Sequence, residues 1–169
     1  TLPGMVVINP ADAVEARAAV EAAILYQGPV YLRFGRLAVP VIYDKDTYKF
    51  EMGKGVQMKE GTDVTIIATG IMVDMALTAA EQLANEGISA RVINMHTIKP
   101  IDRALVLEAA KATGAIVTAE EHNIIGGLGE AVCAATAEAY PVPVLRVGVE
   151  DRFGRSGKVP PLLEMYGIT

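Results

Sequence analysis

The stretch Thr118-Ala-Glu-Glu-His-Asn-Ile-Ile-Gly-Gly-Leu-Gly129 puts two acids, a histidine and a glycine cluster side by side. Glu120, Glu121 and His122 are of the types that do acid–base work or hold a metal. Gly126, Gly127 and Gly129 could cradle a phosphate at a helix start. The spacing argues against both. GGxG matches neither a dinucleotide nor a phosphate-loop fingerprint, and three successive strand residues cannot all face one ion. The expectation is that these glycines let a helix approach a sheet closely. Arg36 is the other chemical candidate, just past the apolar run Val30-Tyr-Leu-Arg33. Open α/β sheets hold ligands at such strand ends, and a guanidinium fork suits a phosphate or carboxylate. Taken alone, Arg36 is more readily a surface arginine paired with an acid such as Asp44. His96, between a strand and a proline-led helix, is expected to bond a nearby backbone group. The tetrapeptide Arg33-Phe-Gly-Arg36 returns as Arg152-Phe-Gly-Arg155, but the flanking residues differ and no repeat follows.

These residues need elements to hold them. Met5-Val-Val-Ile-Asn9 reads as a buried strand, and Pro10 and Asp12 open a helix running to about Tyr26, which Gly28-Pro29 stops. With the strand Val30-Tyr-Leu-Arg33 this makes one βαβ unit, too small to bury both of its faces. From Leu37 the pattern dissolves and returns as a weak alternation near Gly53–Met58, an expected edge strand or hairpin. Beyond about residue 60 the alternation is regular. Strands are expected at Val64–Ala68, Ala90–Asn94, Ala115–Thr118 and Val142–Val147, and helices at Met72–Asn85, Ile101–Lys111, Gly129–Tyr140 and Pro161–Tyr166. Strand–helix alternation of this length predicts an α/β fold: a three-layer α/β/α sandwich on a mostly parallel sheet. The division is thus a βαβ piece at 1–36, a linker at 37–59 and a complete domain at 60–169.

Composition narrows the classes. Hydrophobic residues make up 51% of the 169, enough for a real core. A net charge of −5 leaves no basic stripe for nucleic acid. No window approaches the roughly eighteen apolar residues that span a bilayer. Cys133, the single cysteine, has no partner for a disulfide or zinc site and points to a reducing, cytoplasmic setting. The chain opens on Thr1 rather than methionine, as a fragment or processed subunit would.

Several segments, taken in order, resemble transketolase. They are Pro10-Ala-Asp-Ala-Val14, Gly28-Pro-Val-Tyr-Leu-Arg33, Asn94-Met-His-Thr-Ile-Lys-Pro-Ile-Asp102, Thr118–His122 with Gly126-Gly-Leu-Gly129, and Asp151-Arg-Phe-Gly-Arg-Ser-Gly157 leading into Leu162–Thr169. The resemblance covers the chain and is closest to a C-terminal section, or to the C-terminal subunit of a split enzyme. It implies a fold in which residues 1–36 are the tail of the pyrimidine-binding domain and 60–169 the transketolase C-terminal domain. It implies transfer of a two-carbon ketol unit between sugar phosphates, in the pentose phosphate pathway, with thiamin diphosphate and a divalent metal, Mg or Ca. The metal motif and activating glutamate of that family lie upstream, so neither cofactor is expected on this chain alone, which should be inactive without its N-terminal section or subunit. A homodimer is implied. Arg36 matches the arginine that the family places on the substrate phosphate, with Arg33 the weaker candidate. The alternative is a dimerisation or regulatory module of a related thiamin-diphosphate enzyme, such as deoxyxylulose-phosphate synthase or the E1 beta subunit of a 2-oxoacid dehydrogenase. The resemblance gives no role to His96, Glu120, Glu121 or His122.

Overall fold

Asp12 starts the first helix by accepting a hydrogen bond from the backbone N–H of Glu15 at 2.8 Å. That helix, α1 (Ala13–Leu25), connects β1 (Val6–Ile8) to β2 (Val30–Leu32), and the two strands pair in parallel. The computed structural model describes residues 2–36 and 38–168. The later elements are β3 (Val56–Lys59), β4 (Val64–Ala68), α2 (Met72–Asn85), β5 (Ala90–Asn94), β6 (Thr97–Lys99), α3 (Arg103–Thr113), β7 (Ile116–Asn123), α4 (Leu128–Ala139), β8 (Val144–Val149) and α5 (Val159–Tyr166).

Two sheets form. The larger has the order β3-β5-β4-β7-β8, parallel except for β3, which lies antiparallel at one edge. Successive residues of β5 face opposite ways, as the strand period requires. Val92 joins Ile66, Ala76 and Ala80 beneath α2, whereas Ile93 joins Ile67, Val106, Leu128 and Val132 beneath α3 and α4. This is the expected three-layer sandwich. The glycine-bearing weak alternation before residue 60 is its edge strand.

The smaller sheet has the order β2-β1-β6. Its core of Val6, Ile8 and Ala19 is completed by Phe50 and Met52 from the irregular segment. Strand β6 adds to the expected strands, lying between Ala90–Asn94 and the helix expected from Ile101. It leaves the larger sheet after β5 and pairs antiparallel with β1, so three residues tie the two sheets together. Strand β7 also runs further than expected, continuing through Glu120, Glu121 and His122 to Asn123. Among the described residues, no helix is long and apolar enough to cross a membrane.

Candidate functional site

The carboxyl ends of β1 and β2 stand together, and the loop 33–36 leaves the sheet there. Arg33 N–H donates to Ile8 O at 2.8 Å, the last bond of that ladder. Arg33 is half-buried, with its guanidinium 5.7 Å from the centre of the Tyr31 ring. It lines a cleft of about 420 Å³ shared with Lys99, Glu120 and His122. Arg36 lies beyond that cleft's lining, exposed, and among the described residues it enters no ion pair. The pairing with Asp44 expected of a surface arginine is not formed. Asp44 instead caps its own turn by accepting from the Asp46 N–H at 2.8 Å.

Glu120 has a defined structural task. On β7, alternation turns Glu120 toward α4 while Glu121 takes the other face. The Glu120 carboxylate is 1% exposed and accepts from Leu128 N–H at 2.8 Å and Gly129 N–H at 2.9 Å, two of the free donors at the start of α4. The glycines make this possible: a Cβ on Gly127 would lie 2.0 Å from Glu120 Oε2, and one on Gly129 would lie 2.8 Å from the Arg146 side chain. Burial raises the Glu120 carboxyl above its ordinary value, opposed by the two backbone donors and then by His122 and Arg33. His122 Nδ1 bonds the Asn123 carbonyl at 3.0 Å. The helix start weighed above as a phosphate cradle is therefore filled by a carboxylate of the chain itself. Among the described residues no three His, Cys, Asp or Glu side chains gather as metal ligands. At the start of α4 the Glu120 carboxylate takes the two backbone donors that an anion would need.

His96 corrects the sequence reading. Its Nδ1 meets the Thr97 hydroxyl at 2.9 Å rather than a backbone group, its ring packs at a tilt against Phe50 with centroids 4.4 Å apart, and among the described residues Nε2 has no hydrogen-bond partner. Burial lowers its pKa to about 4, so the ring is neutral near pH 7.

A polar cluster escaped the sequence altogether. Glu15 on α1 is fully buried, and its carboxylate accepts from the Ala11 N–H at 2.7 Å, from Asn94 Nδ2 at 2.9 and 3.0 Å, and from the Tyr48 hydroxyl. Asp12 beside it accepts from the N–H groups of Ile42 and Tyr43. Burial raises the Glu15 carboxyl and the Asp12 charge adds to this, although Tyr48, Ala11 and Asn94 all donate to it. The cluster joins α1, the irregular segment and β5. The Asp-x-x-Glu spacing at 12–15 signals a helix start; nothing in it shows that Glu15 is sealed under two tyrosines from a distant loop.

The family described as "Transketolase, C-terminal domain" matches residues 53–169. The 6-deoxy-6-sulfo-D-fructose transketolase subunit of Clostridium sp. (strain MSTE9) is 48% identical over 168 residues, covering 99% of this chain and 52% of that protein. The putative transketolase C-terminal section of Methanocaldococcus jannaschii is 44% identical over 169 residues, covering 99% of this chain and 52% of that protein. A solved structure described as a split gene transketolase, inactive beta4 tetramer, superposes with a TM-score of 0.96 at 54% identity, covering all of this chain and 55% of that one. The chain thus spans about half the length of the curated relatives it matches.

Proposed function

The chain belongs to the transketolase C-terminal domain family, and from that membership we propose that it forms the C-terminal part of an enzyme moving a two-carbon ketol unit between sugar phosphates. The observation that carries the reading to this chain's own residues is the placement of Arg36. It is an exposed guanidinium with no ion pair among the described residues, just past the carboxyl end of β2 in a parallel strand pair, the end at which open α/β sheets hold ligands. Its role is to hold the substrate phosphate in fork geometry, which fixes the sugar's far end and leaves its carbonyl end free for chemistry.

Arg33 takes the lesser part. It is drawn toward Tyr31 and the Glu120 side, so it shapes the positive field at the loop more than it touches substrate. Thiamin diphosphate and its divalent metal supply the carbanion chemistry when bound in the assembled enzyme, and their ligands come from the N-terminal section or subunit. The subunit names among the relatives support such a partner. A homodimer of the assembled unit, a cytoplasmic setting and a place in pentose phosphate metabolism complete the proposal.

The test is Arg36→Ala in the enzyme assembled with its N-terminal partner. Loss of a charged, fork-geometry contact should cost on the order of 2–4 kcal/mol in kcat/KM for a sugar phosphate, with thiamin diphosphate affinity unchanged. An unchanged kcat/KM would return Arg36 to the surface.

A further inference from the structure

The loop that carries Arg36 does not stand free. It rests on the turn between β4 and α2, which belongs to the larger sheet. The seam begins at Asn9, just past β1. Asn9 N–H donates to His96 O at 2.8 Å, and the Thr69 hydroxyl donates to Asn9 O at 3.2 Å. The Asn9 side chain lies over Gly70, where a Cβ would come within 2.6 Å of Asn9 Nδ2; a φ of +58° also favours glycine there. The β4–α2 turn is thereby locked to the end of β1, and the next residue is Ile71.

Ile71 is 8% exposed and belongs to the core under α2. Its Cγ2 methyl would lie 3.0 Å from a Cβ built on Gly35, so the glycine's backbone rests on that methyl. Phe34, Gly35 and Ile71 line one cleft with Pro10 and Ala13. Beyond the Arg33–Ile8 bond, the loop leans on the larger sheet through Gly35. Its outer residues are open to solvent, with Phe34 53% exposed.

We propose that Ile71 is a positioning residue for substrate phosphate: through Gly35 its methyl sets the height of the 34–36 loop and so the reach of Arg36. The inference rests on the reading that Arg36 binds phosphate. A forked contact holds its strength only when its anchor is fixed, and a displacement on the order of 1 Å is enough to weaken it severely. The larger sheet thus takes part in substrate binding without touching substrate.

The test uses the assembled enzyme with fructose 6-phosphate and, as matched probe, fructose. Ile71→Ala removes the methyl under Gly35, whereas Ile71→Val keeps Cγ2. Ile71→Ala is expected to raise KM for fructose 6-phosphate about fivefold or more, with kcat within about twofold and fructose use unaltered. Ile71→Val should stay near the parent. Gly35→Ala, whose new Cβ meets Ile71, should raise the same KM, and Gly35→Ala/Ile71→Ala should recover much of it because the shortened side chain makes room. Equal losses on fructose and its phosphate, equal behaviour of the alanine and valine variants, or no recovery in the double variant would each overturn the inference. Arg36→Ala serves as the separating control. If it leaves the preference for the phosphorylated sugar intact, the phosphate reading and this inference fall together. If it abolishes the preference while Ile71→Ala does not lower it, the inference alone fails.

Discussion

Removing the Glu120 carboxylate should expose how much of α4 depends on it. Glu120→Ala leaves the Leu128 and Gly129 N–H groups without the acceptors they now have at 2.8 and 2.9 Å, in a place with little access to water. Each orphaned buried donor costs about 1–3 kcal/mol, so the gross loss is about 2–6 kcal/mol. Part of it returns because a carboxylate whose pKa is raised by burial no longer has to be desolvated. A net cost of about 2–4 kcal/mol remains, a large share of the ~5–15 kcal/mol that holds a domain of this size folded. Glu120→Gln keeps one acceptor and turns an amide N–H₂ toward the other donor, for about 1–2 kcal/mol.

Gly127→Ala should do the same damage from the other side. Gly127 has φ −101° and ψ −158°, which alanine adopts freely, so the only penalty is the Cβ that would lie 2.0 Å from Glu120 Oε2. Displacing the carboxylate breaks the same two bonds. The two changes must therefore couple: Glu120→Ala/Gly127→Ala should cost little more than Glu120→Ala alone, an interaction of about 2 kcal/mol in the cycle. Urea denaturation at pH 7 followed by far-ultraviolet circular dichroism measures this, provided the slope is unchanged among variants. Simple additivity, or a Glu120→Ala cost below about 1 kcal/mol, would refute the capping argument. Where the variants remain folded, ketol transfer by the assembled enzyme should be unaffected, which separates a capping Glu120 from a catalytic one.

The buried His96 should make the fold acid-sensitive. With its pKa lowered from 6.5 to about 4, the folded chain refuses a proton that the unfolded chain accepts, so stability falls as pH drops from 6.5 toward 4. The full loss is roughly 3 kcal/mol, and His96→Leu should flatten it; because the raised carboxyls of Glu15 and Glu120 act with opposite sign, the parent-minus-variant difference is the quantity to follow, and a pH-independent difference would contradict the assignment. Calorimetry of the chain alone with thiamin diphosphate and magnesium should show no micromolar binding, since the α4 start is filled by Glu120; tight binding would overturn the proposed division of labour. Light scattering should find a dimer or larger species, because Ile24 and Leu25 are 76% and 83% exposed at the end of α1, whereas a well-behaved monomer would speak against that surface as a contact.

What the sequence discloses depends on how local the cause is. The strands of the larger sheet and the helices that cover it follow from periodicity and caps within a few residues, which is why Met72–Asn85 and Ala90–Asn94 lie where expected. Thr97-Ile-Lys99 carries no such signal. Three residues make a strand only because the edge of β1 lies within reach, so β6 is a product of tertiary contact. The glycines at 126–129 announce a close approach, and strand alternation separates Glu120 from Glu121, yet neither shows which group approaches. That answer needs the register of β7 against α4. Glu15 is further out of reach: a glutamate in a helix's first turn is ordinarily solvated, and its burial depends on Tyr48 and Asn94, 33 and 79 residues away in sequence. Arg36 is the opposite case: its proposed role comes from resemblance and strand-end position, whereas nothing local in the sequence shows what supports its loop. Its loop is placed by Asn9, Gly70 and Ile71, of which two belong to the larger sheet's β4–α2 turn. An arginine's type can be read from one letter, but its reach is fixed by the backbone beneath it, and that backbone is held here by residues distant in sequence.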